Sequence, residues 1–305
     1  MTTYQLKHGR VTWTNIIEPT KDDVNALQTA YPFLHPLHLE DVLSRIERSK
    51  IDEDDDYLFV VMHFPLWDAE KKLTRPREVD IFVGRGFVVT VHDGGLKPLL
   101  RLYDRCAEDE AERQHMMGQG ANRTFYIIID QLVDYIFPLL RKIDGNIDMI
   151  EEGIFTSDTR AVIRDISLIR RDVLAIRRVI RQQVPIVEVL EKTDSAIIHE
   201  ELEEYFGDIV DHLYKARDII DEDAEIIIGL ADTADTLVSH RINEVMRILT
   251  VISVTMLPLT LISSIYGMNI RLPYGNHPNA GLFIGLIMVT VTFSLLGYFR
   301  YRHWL

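Results

Sequence analysis

Two stretches near the C-terminal end break the pattern of polar and apolar positions that governs the rest of the chain. Residues 249–268 (LTVISVTMLPLTLISSIYGM) and 281–299 (GLFIGLIMVTVTFSLLGYF) hold no Asp, Glu, Lys, Arg or His. About 20 residues at a helical rise of ~1.5 Å cover the ~30 Å of bilayer hydrocarbon, so each stretch predicts one membrane crossing. The short connection 269–280 makes the pair a membrane hairpin. Two buried helices of a soluble core are the competing reading, but core helices usually keep a polar face, and neither stretch has a charged one.

Upstream of the hairpin the period is helical. Apolar residues recur at threes and fours at Phe125, Ile129, Leu132, Ile136, Leu139, Ile143, Ile147 and Ile150. After a break at 153–158 they resume at Val162, Ile166, Ile169, Val173, Ile176 and Ile180, which predicts an antiparallel helical hairpin. Asp130, Asp134, Asp144 and Asp148 on its first arm face a choice of arginines on its second, Arg160, Arg164, Arg170, Arg171, Arg177 and Arg178, a complementarity worth little if exposed. A third run, Leu202, Phe206, Ile209, Leu213, Ala216 and Ile220, leads without an obvious stop into the first membrane stretch. One helix of about 70 residues, roughly 100 Å long, is expected to join cytosol to bilayer.

The first third alternates differently and reads as an α/β domain. Strands are predicted at 11–16, 57–64, 79–83 and 87–91, with Gly84-Arg85-Gly86 as a hairpin turn. Helices are predicted at 21–30 and 36–43, the second with Pro36 in its first turn, and the acidic run 52–56 as a solvated loop. The resulting division is 1–120 α/β domain, 121–193 helical hairpin, 194–248 stalk helix, 249–268 first span, 269–280 external loop, 281–299 second span and 300–305 basic tail.

Charge refines this picture. Arg241 and Arg247 precede the first span, and Arg300, Arg302 and His303 follow the second, which puts both flanks in the cytoplasm by the positive-inside rule. Tyr266, Tyr274, Tyr298, Tyr301 and Trp304 suit the interfaces. The N-terminal MTTYQLKHGR lacks the apolar region of a signal peptide, so the residues before the hairpin are expected in the cytosol. The single cysteine, Cys106, cannot form an intrachain disulfide. Net charge is −14, and residues 188–225 alone carry fourteen acids against three bases. That face repels nucleic acid and suits cations, although most of these residues are read as a solvated helix surface.

The candidate chemistry lies along the first span. Asn243, Met246, Thr250, Ser253, Leu257, Thr260 and Ser264 fall on one stripe, the mixture of small polar and flexible apolar groups that a pore lining needs; helix packing through small residues is the bland alternative. A hairpin of two helices cannot enclose an aqueous path, so a pore requires an oligomer. Gly267-Met268-Asn269 closes the span just where helix must give way to a short loop, and this position points to a pore for a divalent cation. His35 and His38 are expected in capping or core roles, with neither a Cys nor a third His nearby to make a zinc site.

Several segments together resemble the CorA family of magnesium and cobalt transporters over nearly the full chain: Asn243-Glu244-Val245-Met246, Pro258-Leu259-Thr260, Tyr266-Gly267-Met268-Asn269, and upstream His35-Pro36-Leu37 with Leu39-Glu40-Asp41 and Tyr205-Phe206-Gly207-Asp208; the terminal Trp304-Leu305 fits too. The resemblance implies an α+β cytosolic domain with a long helical stalk and a two-helix transmembrane hairpin, assembled as a funnel-shaped homopentamer in a prokaryotic inner membrane. It implies Mg²⁺ as transported and regulatory ion, with Co²⁺ or Ni²⁺ as further cargo, and no organic cofactor. By the same resemblance Gly267, Met268 and Asn269 form the selectivity segment at the outer mouth, Asn243 a polar ring at the cytosolic mouth, and Met246, Leu249 and Leu257 hydrophobic constrictions. Asp41 and Asp208, with Glu40 as an additional ligand, match an intersubunit regulatory metal site. A neutral oxygen ring can take hydrated Mg²⁺, which keeps its waters, without holding it too tightly.

One departure and two alternatives stand beside that reading. The loop after Asn269 carries Arg271 and no carboxylate, whereas many family members have acids there. A zinc-transporting branch of the superfamily keeps the same Gly-Met-Asn segment, so a Zn²⁺ transporter is the first alternative, and a membrane-anchored helical scaffold is the second. An enzyme is disfavoured: no glycine-rich phosphate loop, HExxH pattern or nucleophile constellation is found.

Overall fold

The computed structural model describes residues 3–44, 47–68, 73–155, 158–193, 197–198, 200–268 and 278–304. They fall into two compact units, 1–231 and 232–305.

In the first unit six strands form one mixed sheet in the order β1-β2-β6-β5-β4-β3: β1 Thr3–His8, β2 Val11–Ile17, β3 Lys50–Glu53, β4 Tyr57–Asp68, β5 Leu73–Gly84 and β6 Phe87–His92. Among the described residues, only the β2–β6 pair is parallel. The four central strands are the ones the apolar runs predicted, since a strand buried on both faces reads as a continuous hydrophobic run. The turn at Arg85-Gly86 joins β5 to β6 with Gly84 paired to Phe87, and Gly86 takes φ +85°, a value that favours glycine. The two edge strands escaped the pattern. β1 is largely exposed and β3 opens the acidic segment read as a loop; both owe their conformation to pairing with a neighbour, and polar edges also discourage sheet-to-sheet association.

One face of the sheet is covered by α1 (Lys21–Ala30) and α2 (Pro36–Asp41). Val24, Leu27, Leu39 and Val42 pack there against Tyr57, Phe59, Val61, Phe82 and Val89. Thr20 caps α1 in a reciprocal box with Asp23. The other face carries helices from later in the chain: α3 (Lys97–Glu108), α4 (Glu110–Met117), α5 (Ala121–Asp134), α6 (Ile136–Gly153) and α7 (Thr159–Lys192), of which α5, α6 and α7 touch β4, β5 or β6. A buried Asp172 in α7 accepts from the Thr74 backbone N–H at 3.0 Å and so fixes α7 to β5.

The helical hairpin needs correction in one respect. Its first arm is two helices, α5 and α6, separated at Tyr135. Pro138 lies in the first turn of α6 and has no N–H for the Asp134 carbonyl, which ends α5 there. The proposed pairing of acids on the first arm with arginines on the second is replaced by links to the next helix, α8 (Glu203–Tyr266): Arg177 and Arg181 both meet Asp221, and Tyr214 of α8 donates to Glu188 of α7. A 3₁₀ turn, Glu200–Leu202, precedes α8. Phe206, Ile209, Leu213, Ala216 and Ile220 are fully buried, as their period predicted.

The second unit contains the rest of α8 and α9 (Ala280–Tyr301), both long and apolar enough to cross a membrane and almost wholly exposed over their apolar windows. They form the C-terminal candidate hairpin of an α+β chain. Pro258 sits inside α8 and cannot donate to the Val254 carbonyl. Phe299 is buried and stacks on Trp304 at 5.7 Å, folding the end of the chain back on α9.

Candidate functional site

Three groups of residues are candidates for the chemistry. The first surrounds α2. His35 is its N-cap: the ring Nδ1 accepts from the Leu37 N–H at 3.2 Å, the capping role expected for it. His38 stacks on Phe59 at 4.7 Å, and its Nδ1 lies 2.7 Å from the Tyr57 hydroxyl. Burial lowers its pKa against the opposing pull of Asp52, whose Oδ2 lies 3.4 Å from Nε2, and the ring packs at the edge of the core. Asp41 is occupied by a cation of the same chain: Lys50 Nζ lies 2.6 Å from Asp41 Oδ2 and 3.1 Å from Asp52 Oδ2. Burial opposes the Lys50 charge, but the two carboxylates outweigh it and raise the ammonium pKa. Glu40 is exposed beside it.

The second group was not singled out as ligands in the sequence. Asp130 and Asp134 of α5 and His212 of α8 hold ligand atoms all within 4.8 Å of one another. His212 Nδ1 is 3.3 Å from Asp134 Oδ1, and Nε2 is 3.9 Å from Asp208 Oδ2. That Nδ1 is buried and, among the described residues, makes no hydrogen bond. Burial, then Asp134 and Asp208 against the counter-effect of His212, raises the Asp130 pKa. Three carboxylates converging on one imidazole repel one another, and a divalent cation is the natural remedy: oxygen donors suit Mg²⁺, and the imidazole adds affinity for Co²⁺, Ni²⁺ or Zn²⁺. Within one chain Asp208 therefore keeps company with α5, whereas Asp41 belongs to the Lys50 group. The signal was present as two i,i+4 pairs, Asp130/Asp134 and Asp208/His212, each on one helical face.

The third group is the stripe on α8. Asn243, Met246, Leu249, Ser253, Leu257, Thr260 and Ser264 are exposed, and Thr250 is half-buried. The intervals of three and four keep all but Leu249 on one face of an unbroken helix. Thr250 donates its hydroxyl proton to the Met246 carbonyl and Thr260 to the Met256 carbonyl, both at 2.8 Å, so their oxygens present lone pairs outward. At the end of the helix the Gly267 N–H bonds the Ser263 carbonyl at 2.9 Å, and the Met268 N–H bonds Ile265 at 3.3 Å. A Cβ on Gly267 would sit 3.0 Å from the Ser263 oxygen, which is tighter than ordinary packing. Asn269 and Arg271 lie outside the described residues.

Known proteins resemble the chain over nearly its whole length. The profile of the CorA-like Mg²⁺ transporter protein family matches residues 8–302. YfjQ of Bacillus subtilis, a candidate metal ion transporter, is 31% identical over 293 residues, covering 96% of this chain and 89% of that one. The cobalt/magnesium transport protein CorA of Thermotoga maritima is 28% identical over 301 residues, covering 96% and 83%. The CorA magnesium transporter of Methanocaldococcus jannaschii has the same fold, with a TM-score of 0.85 at 19% identity over 98% of this chain and 93% of that one. The chain belongs to the CorA-like Mg²⁺ transporter family and is a divalent-metal transporter of the membrane.

Proposed function

We propose that the chain assembles as a homopentamer in a prokaryotic inner membrane, both termini cytoplasmic, and conducts Mg²⁺, with Co²⁺ and Ni²⁺ as further cargo, into the cell. The observation that carries this reading is the stripe from Asn243 to Ser264. It leaves oxygens and flexible apolar groups exposed along one face of a span whose other exposed residues are mostly apolar. A lone helix would face that stripe to lipid at a cost; copies of α8 around a central axis turn it to water.

In that assembly Gly267, Met268 and Asn269 form the outer mouth, where the Asn269 carboxamide oxygens accept from the water shell of the ion. Outward lone pairs of Thr250 and Thr260 then receive the same hydrated ion lower down. Met246, Leu249 and Leu257 narrow the path with apolar groups that stop conduction by dewetting. Mg²⁺ dehydrates reluctantly, so water-mediated contact is the economical way to pass it.

Regulation uses the two carboxylate groups in the first unit. Asp41 and Glu40 of one subunit and Asp208 of its neighbour bind Mg²⁺ between them, with Asp130, Asp134 and His212 enlarging the site around Asp208. Metal bound there favours the closed ring, and its loss as cytosolic Mg²⁺ falls shifts the population to conducting forms. Because α8 carries both Asp208 and the stripe from Asn243 to Ser264, a change at Asp208 has a continuous backbone to follow.

The test is cation flux into proteoliposomes with Mg²⁺, Co²⁺, Ni²⁺ and Zn²⁺, with and without a pH gradient. Mg²⁺ influx indifferent to the gradient and abolished by Asn269→Ala is the expected result. Zn²⁺ flux driven by the gradient moves the chain to a zinc-transporting function, and no flux from an intact oligomer makes it a scaffold.

A further inference from the structure

Asp80 is the least expected residue of the sheet. It lies on β5 in register with Val61 of β4 and Val91 of β6, both buried in the core beneath α1 and α2, and is itself 4% exposed. Its Oδ1 is buried without a hydrogen-bond partner among the described residues. Burial, with Glu78, Asp41 and Glu47 outweighing Lys50, pushes its pKa well above the usual carboxylate range. A polar group held in such a place without compensation is costly.

The residue lines a cleft of about 660 Å³, together with Glu18, after β2, and Ser44, after α2. Its neighbours on the floor are already engaged. Glu78 Oε2 accepts from the Glu47 N–H at 2.8 Å and from His63 Nε2 at 3.1 Å. His63 Nδ1 in turn meets Ser49 Oγ at 3.0 Å, and Ser49 accepts from Gln183 of α7 at 3.1 Å. His92 Nδ1 accepts from the Gly94 N–H, which leaves Nε2–H to donate to Asn15 Oδ1, and burial lowers its pKa to about 4, so it is neutral. Arg77 at the rim is held by Asp93. Glu18 has φ +51°, a left-handed value that costs a residue other than glycine some strain. Among the buried side-chain N and O atoms of the described lining residues, Asp80 Oδ1 alone lacks a hydrogen-bond partner.

We propose that this cleft binds a small organic cation with N–H donors, a primary ammonium or guanidinium, whose nitrogen pairs with the Asp80 carboxylate. The lining is acidic on balance, since Glu18, Glu78, Asp80 and Asp93 face Arg75 and Arg77. A cleft of this volume takes a molecule of several heavy atoms, within the range of small-molecule sites. A bare metal ion is disfavoured: among the described residues, the group of three or more His, Cys, Asp or Glu close enough to share a metal is the Asp130 cluster, which does not include Asp80.

Putrescine titrated into the purified full-length protein in detergent, followed by calorimetry and thermal melting, tests the site. Putrescine should bind and raise the melting temperature, and Asp80→Asn should weaken binding by at least about tenfold, the loss expected for one charged hydrogen bond. Tetramethylammonium, which has the charge and no N–H, should not bind. Ser44→Phe puts a bulky ring into the cleft lining and should also abolish binding, which keeps the test decisive if Asp80→Asn does not fold. The proposal is overturned by absence of putrescine binding, by binding that survives both substitutions, by tetramethylammonium binding as well, or by MgCl₂ displacing putrescine at an Asp80-dependent site.

Discussion

His212 Nδ1 lies 3.3 Å from Asp134 Oδ1, so the imidazole of α8 is held against the acidic face of α5 with Asp208 on its other side. The ring is the single nitrogen donor among three carboxylates. It gives the cluster a ligand preference that oxygen alone does not have.

His212→Ala should therefore weaken Co²⁺ binding to the purified protein by about tenfold or more and Mg²⁺ binding much less, because imidazole contributes to transition-metal affinity and little to Mg²⁺. Thermal melting with each metal reads the difference. Equal loss for both ions would mean that His212 only positions the carboxylates.

Lys50 competes with any metal at Asp41, since its ammonium already stands 2.6 Å from Oδ2. Lys50→Met removes the competitor, and the internal Mg²⁺ concentration for half-inhibition should fall by about two- to fivefold, the scale of a partly exposed ion pair. Flux measured against a series of internal Mg²⁺ concentrations gives the answer; an unchanged or higher concentration would remove Asp41 from the regulatory site.

Asp223 supplies a pH dependence. It is 3% exposed in α8, and burial with Asp144, Glu222 and Asp148 nearby raises its pKa from 3.8 to about 6. The folded pKa exceeds the unfolded one, so the stability linked to this group is fully present below about pH 4 and is lost as pH rises through 6. Asp223→Asn should melt higher than wild type at pH 7.5 and no differently at pH 4. A constant difference across that range would show that the side chain acts through packing alone.

Leu257 is 70% exposed on the α8 stripe and is assigned to a dewetting constriction. Leu257→Ser should raise flux under inhibiting internal Mg²⁺, the opposite of Asn269→Ala, because a hydroxyl lowers the cost of wetting. Lower flux in an intact oligomer would put the barrier elsewhere.

The parts legible in the sequence are those in which one face of one element decides the outcome. The two apolar spans, the four central strands and the buried face Phe206–Leu213–Ile220 are written as uncharged runs or as a helical period. β1 and β3 are not, because a polar edge strand is extended only while it pairs with β2 or β4. α3 went unread although Leu99, Leu102, Tyr103 and Cys106 mark a buried helical face. The break at Tyr135 needed attention to Pro138, which the apolar period conceals.

The site divides along the same line. The sequence by itself determined the order and spacing of groups along one helix: the stripe from Asn243 to Ser264, the glycine at 267, and the pairs Asp130/Asp134 and Asp208/His212. It could not say that α5 meets α8 so that those pairs share a centre, that Lys50 rather than Asp208 is the partner of Asp41 within one chain, or that Asp80 is buried beneath α1 and α2 with an oxygen unmet. Those are distances between elements far apart in the chain. Periodicity fixes which face of an element is buried; which other element covers it is decided by packing, and there the tertiary structure alone decides.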